Sequence, residues 1–412
     1  DLKEWSSLWL ETAGVNTLRP EITVDDQGNF SSFAITQSAE PDYPHLRPHR
    51  LGIGLFELEN GKLVRTHSLE VDVAGERTEI SKLVGEKRPA FVLINDQDLA
   101  YAKVRLDANS WQVALENLSG ITDSLARTMV WSAAWDTTRD AESSPQDFVQ
   151  LVLDHIGHET ESTTVTTLLR QLVTTSTLYV AAQSREKVTE HIASSLIDLA
   201  ENAMAGSDNQ LQFARFVPQF ARTKEQLNWL EEVVSGSRKL SGLEIDADIR
   251  WELLIGLATG NRLDATAIDA ELARDNTANG KKSAAACLAA ISTADAKRTA
   301  WTELTEKQEY SNTLINSASL AFGRTMDTSL LEPYVAKYME VAPQIWEQRS
   351  YQIASYLLTN LYPVQLANQE LAKATQTLID SEFAASRPAF RRILVENLAG
   401  LERGLKVQQI DR

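Results

Sequence analysis

The hydrophobic period of this chain changes only once, from two to about 3.6, and that change limits what it can fold into. Period-two stretches lie ahead of Asp107, and beyond it the strand pattern does not return. The first long helical pattern is residues 121–136, where Ile121, Leu125, Met129 and Ala133 recur every four residues and Trp131 and Trp135 form a second ridge. A helix apolar on two sides is predicted to be buried. Strands followed by helices, without alternation, argue an α+β chain with two separate parts. Its 412 residues also exceed the roughly 250–300 that one hydrophobic core serves.

Residues 1–14 read as an opening amphipathic helix, with Leu2, Trp5, Leu8 and Trp9 on one side and Gly14 as a left-handed cap. Residues 21–24 and 30–37 flank the turn cluster 25–29 and form a candidate hairpin. Prolines 41, 44 and 48 mark a loop. The apolar run 51–58 then meets Asn60-Gly61, the residue pair that supplies the positive φ angles of a type I′ turn, before residues 63–73. Further strands are expected at 78–80, 90–95 and 99–106. About seven short strands predict a β-sandwich.

Ser144-Pro145 opens a run of helices that continues to Arg412. Helices are expected at 165–182, 187–204, 225–234, 249–259, 284–291, 312–322, 344–362, 366–383 and 388–405. The breaks at 205–208, 235–237 and 279–280 are short, which makes neighbouring helices antiparallel. The expected architecture is an N-terminal β-sandwich followed by a large all-α superhelical domain of HEAT or armadillo type without a strict repeat.

The net charge of −17 removes the basic footprint that nucleic-acid binding requires. No apolar run reaches the roughly 20 residues of a membrane span. A single cysteine, Cys287, can form no internal disulfide and fits a reducing compartment, so a cytoplasmic protein is expected. Phosphate-binding glycine loops and the Gly-x-Ser-x-Gly elbow do not occur.

Metal chemistry would have to draw mostly on six histidines, at positions 45, 49, 67, 155, 158 and 191. The tempting group is His155-Ile156-Gly157-His158-Glu159, but a zincin needs a second histidine after His158-Glu159, and Thr160, Glu161 and Ser162 follow instead. A helix end is the simpler reading of this group. A metallohydrolase built on His155, His158 and Glu159 is carried as the third reading. Trp131, Trp135, Trp229, Trp251, Trp301 and Trp346 fit core positions better than stacking platforms. Arg250 beside Trp251, and Arg349 near Trp346, suit either an ordinary ion pair or recognition of a peptide carboxylate.

The order of several short motifs resembles the C-terminal half of M1-type aminopeptidases N, with the actinobacterial branch the nearest fit. These motifs are Trp-Leu-x-Thr-x-Gly-Val-Asn-Thr-Leu from Trp9 to Leu18, Leu93-Ile94-Asn95-Asp96, and Leu99-x-Tyr-x-Lys-Val-Arg-Leu-Asp ending at Asp107. Leu125-Ala-Arg127 with Trp131 and Trp135-Asp136, Asp248-x-Arg250-Trp251, and Leu361-Tyr362-Pro363 follow. The resemblance implies that residues 1–17 end a catalytic domain lying N-terminal to this chain, that 18–107 form a spacer sandwich, and that 108–412 form the helical domain. It implies a zinc exopeptidase that removes N-terminal residues from peptides, with peptides and the catalytic domain of the same chain as partners.

The family's His-Glu-x-x-His zinc motif and its Gly-x-Met-x-Asn strand are absent here, so no catalytic or metal residue carries over. These residues are expected to bind no cofactor themselves and to act as lid and wall of a substrate chamber, with Arg250 and Arg349 as candidates for holding a peptide C-terminus. The rival reading is a stand-alone helical-repeat scaffold for protein interactions. A scaffold is expected to begin with Met and a polar capping helix, whereas this chain begins at Asp1 with Trp5 and Trp9 close behind.

Overall fold

A computed structural model describes residues 2–411, so Asp1 and Arg412, end points of the expected helices, lie outside the described residues. The chain divides into two compact units. One comprises the residues up to Ser143 with Gln150–Thr164, and the other Ser144–Val149 with the residues from Val165 onward.

The first unit opens with α1 (Leu2–Leu10) and contains strands β1 (Thr17–Val24), β2 (Phe30–Ser38), β3 (His49–Glu59), β4 (Lys62–Val73), β5 (Arg77–Glu79), β6 (Phe91–Ile94) and β7 (Lys103–Val104). They form one sheet ordered β5-β2-β1-β7 and a second ordered β4-β3-β6. The expected hairpin turn is present between β3 and β4, with Asn60 at φ +51° and Gly61 at φ +77°. Both angles match the right-handed twist of the paired strands. Phe33, Ile35, Leu51, Ile53, Phe91 and Leu93 are fully buried and form the centre of the core.

Three local expectations need correction. Gly14 is not the cap of α1, which ends at Leu10. It turns the chain at φ +93°, where a Cβ would lie 2.6 Å from Tyr43. The expected single apolar side of α1 is also not closed, since Leu2 and Trp5 are exposed. The strand at 99–106 shrinks to Lys103–Val104, because Asn95 and Asp98 adopt left-handed φ and the Asn95 amide holds both the N–H and the carbonyl of Ala100.

Helix α2 (Ala108–Asn117) is capped by Asp107 and α3 (Ser124–Arg139) by Asp123. The buried side of α3 is Ala126, Val130, Ala134 and Thr138, with Arg127, Met129, Trp131 and Ala133 beside them. Ile121 is buried but precedes the helix, and Leu125 is 43% exposed. The physical reason lies in the first turn, where the Asp123 cap and the anchoring of Arg127 to the Ile121 carbonyl rotate Leu125 outward.

Helices α4 (Pro145–His155) and α5 (Ser162–Thr174) lead into the second unit. It contains α6 (Ala182–Asn202), α7 (Asp208–Phe220), α8 (Lys224–Ser235), α9 (Ala247–Thr259), α10 (Ala265–Arg274), α11 (Ala278–Ala290) and α12 (Ala294–Thr305). The remainder are α13 (Asn312–Phe322), α14 (Pro333–Gln348), α15 (Tyr351–Asn360), α16 (Gln369–Ile379), α17 (Glu382–Ala385) and α18 (Pro388–Gln408). Alternate helices form one continuous layer, because α7, α9, α11, α13 and α15 pack on one another in that order. Each of α8, α10, α12 and α14 lies against the helix that follows it. This is the two-layer logic of helical-hairpin repeats.

The sequence explains which helices are inside. Helix α9 is buried at every position from Leu253 to Thr259, and α11 is rich in small residues, with Ala284, Ala285, Ala286, Ala289 and Ala290 buried. A Cβ on Gly256 of α9 would lie 2.6 Å from Pro218 of α7, so glycine lets the two backbones approach.

Several helix boundaries differ from expectation. Residues 165–182 are divided by a π-helical turn at Thr175–Tyr179. Residues 344–362 are two helices, since Ser350 caps α15 by accepting from the Ile353 N–H. Residues 366–383 belong to α16 and α17. Asn279-Gly280 is no break at all: it lies in the first turn of α11, where Thr277 is the cap and a Cβ on Gly280 would collide with the Asp275 carbonyl.

Candidate functional site

The residues singled out in the sequence are not brought together into one site. His155 is the last residue of α4, and both its ring nitrogens are engaged. Nδ1 accepts from the Ser119 N–H at 3.3 Å, and Nε2 lies 2.9 Å from the Leu115 carbonyl, to which it donates. This is the bonding pattern of a neutral imidazole packed at a helix end. His158 is exposed.

Glu159 is buried and takes part in a different interaction. Its Oε1 accepts from Arg127 Nη2 at 2.8 Å, and its Oε2 accepts from Trp131 Nε1 at 3.0 Å. Burial alone would raise the Glu159 carboxyl, but the hydrogen bonds from Arg127 and Trp131 hold it below the usual range. The donor atoms of His155 and Glu159 are therefore consumed by the core, which leaves exposed His158 alone and does not fit a zinc site built on the three. Among the described residues no cluster of three or more His, Cys, Asp or Glu side chains is placed to hold a metal ion.

Arg250 forms a two-pronged pair with Glu271, at 2.8 and 2.9 Å, and donates its remaining arm to the Val234 carbonyl at 2.7 Å. The ion-pair reading describes it. Arg349 follows α14, half-buried, and donates one Nη2 to the carbonyls of Thr305 and Lys307. Trp131, Trp229, Trp251 and Trp301 are buried, whereas Trp135 and Trp346 are half-buried. Trp229 and Trp251 donate their indole N–H groups to Glu201 and Asp275. Cys287 is buried and free, and burial pushes its thiol far above the ordinary range, so it is inert.

The helical unit contains a cavity of about 800 Å³. Arg185, Arg222 and Arg324 line it, as do Ser176 and Thr177 of the π-helical turn. Single π turns inside helical segments occur frequently at functional sites. Arg222 and Arg324 lie just past the ends of α7 and α13, where helical periodicity carries no information, and this is why sequence patterning does not reveal them. A local signal does exist, since Ala221-Arg222-Thr223 and Gly323-Arg324-Thr325 each place an arginine at an interhelical corner.

A sequence profile of the ERAP1-like C-terminal domain matches residues 91–403. The chain belongs to this family. It is 40% identical to the Aminopeptidase N of Streptomyces lividans over 418 aligned residues, which is all of this chain and 48% of that protein. The crystal structure of Legionella pneumophila aminopeptidase A in complex with aspartic acid superposes with a TM-score of 0.61 at 10% identity, over 96% of this chain and 50% of that one. The second likeness speaks for the fold alone. The chain thus spans about half the length of the proteins it matches. Among the described residues no helix is long and apolar enough to cross a membrane.

Proposed function

We propose that this chain is the C-terminal region of a zinc-dependent M1-type aminopeptidase that removes N-terminal residues from peptides. The observation that carries the reading is the 40% identity to Aminopeptidase N along the whole chain. Zinc and the catalytic base then belong to residues outside the 412, in keeping with the engagement of His155 and Glu159 in the core. Residues 1–17 would end the catalytic domain, 18–107 would be the spacer, and 108–412 would supply the wall and lid of the substrate chamber. The enzyme would work in the cytoplasm on peptides small enough to enter.

Two measurements test this reading. The purified chain is expected to contain no stoichiometric zinc and to leave aminoacyl p-nitroanilides intact, while a longer chain that includes the upstream domain hydrolyses them. Turnover with bound zinc by the 412 residues alone would overturn the proposal. Of the two arginines considered for a peptide carboxylate, Arg250 has its fork filled by Glu271, which leaves the role to Arg349. Arg349→Ala in the longer enzyme is expected to weaken kcat/KM for peptides by roughly tenfold while sparing p-nitroanilides, which have no carboxylate. Equal effects on both substrates would remove Arg349 from substrate binding.

A further inference from the structure

The cavity in the helical unit is lined by three arginines whose hydrogen bonds go to backbone carbonyls rather than to carboxylates. Arg185 donates to the carbonyls of Gln365 at 3.0 Å and Val180 at 3.2 Å, and its Nε is buried without a partner. Arg222 donates to the Ala221 carbonyl at 2.8 Å, and Arg324 to that of Pro218 at 2.8 Å. Among the described residues none of the three is in an ion pair, in contrast to Arg127, Arg238 and Arg250 of the same chain. All three are largely buried and line the cavity.

Backbone carbonyls position a guanidinium but do not neutralise it. A buried charge without a counter-charge is costly, and here two such charges repel each other. Burial and the Arg324 charge together push Arg222 down to about 10, and burial also lowers Arg324 and Arg185. Three carboxylates reach the same cavity, and each is only partly available. Glu186 and Asp327 are exposed at its rim, and Asp327 is occupied in capping the Ser329 N–H. Glu252 is half-buried and lies near Arg324, with Arg215 at 4.0 Å. Glu190, also half-buried, acts on Arg222 from outside the lining, so carboxylates are near all three guanidiniums but none of them forms an ion pair with any of the three.

We propose that this cavity binds a small oxyanion, of the phosphate or carboxylate class, through Arg185, Arg222 and Arg324. Guanidinium forks match the oxygen spacing of both groups. The Thr177 hydroxyl at the π-helical turn adds a neutral donor to the same wall, whereas that of Ser176 donates to the Val173 carbonyl. A charge-assisted contact of this type is worth roughly tenfold in affinity, so three of them suit a ligand with more than one anionic oxygen. The proposal stands apart from the aminopeptidase reading, because its readout needs no peptide and no turnover.

Calorimetric titration of the chain at constant ionic strength tests it, with inorganic phosphate and succinate as separate probes. Saturable binding at one site per chain is expected. Arg185→Gln and Arg222→Gln, each confirmed as folded by thermal unfolding, are expected to weaken binding roughly tenfold. Binding of phosphate alone assigns a phosphate-bearing ligand, and binding of succinate alone a carboxylate. The absence of saturable heat with both probes, or unchanged affinity in the folded variants, would overturn the site. A variant-independent measurement is phenylglyoxal labelling mapped by mass spectrometry. The anion that binds should protect Arg185, Arg222 and Arg324 and leave the exposed Arg391 reactive. Equal labelling with and without anion would also overturn the site.

Discussion

Replacing Arg127 with Met is expected to lower the unfolding free energy by about 3–5 kcal/mol, the usual range when one partner of a buried pair is removed. Glu159 would then lie buried, its carboxyl deprived of the two hydrogen bonds from the Arg127 guanidinium. Arg127 also donates to the Ile121 and Thr122 carbonyls, so the variant loosens the segment that leads into α3 as well. The companion Arg127→Met/Glu159→Gln removes the stranded charge and should recover part of the loss. Urea unfolding of both variants measures this. If the single variant cost less than about 1 kcal/mol, the pair would be an ordinary surface contact, contrary to its burial.

The same pair marks the limit of what the sequence makes legible. The β3–β4 hairpin is readable because Asn60-Gly61 sets backbone angles locally, whatever surrounds it. The long helices such as α6 and α18 are readable because they repeat their apolar positions over several turns, whereas α7, α10 and α12 are not among the expected helices. Long-range pairing leaves no such trace. Arg127 and Glu159 are 32 residues apart, and Arg105, only 2% exposed, meets Asp140 and Glu142 on the far side of two helices. The cavity arginines fall in the same class, as do Gly280, whose role depends on the Asp275 carbonyl, and Leu125, whose exposure depends on how α3 is capped. Patterning identifies which residues are apolar or charged, and tertiary packing decides which of those charges meet.

Acid is expected to destabilise the first unit through His49, which is buried with both ring nitrogens unpartnered and packs edge-on against Trp9 at 5.4 Å. Burial, helped by the Arg47 charge, lowers its pKa to about 4, against 6.5 for an unperturbed histidine. Between these values the unfolded chain carries a proton that the folded chain does not, so unfolding takes up a proton and stability rises with pH. The neutral ring's contribution is fully present above pH 6.5, falls as pH drops, and is gone by about pH 4. The shift corresponds to about 3 kcal/mol across that window. His49→Phe keeps an aromatic ring against Trp9 but cannot titrate. Its unfolding free energy should therefore be less dependent on pH between 6.5 and 4 than that of the parent chain, by about one proton's worth of slope. Parallel slopes for the two proteins would mean that His49 is protonated in the folded state, and the orphaned ring nitrogens would then require a partner that this packing does not supply.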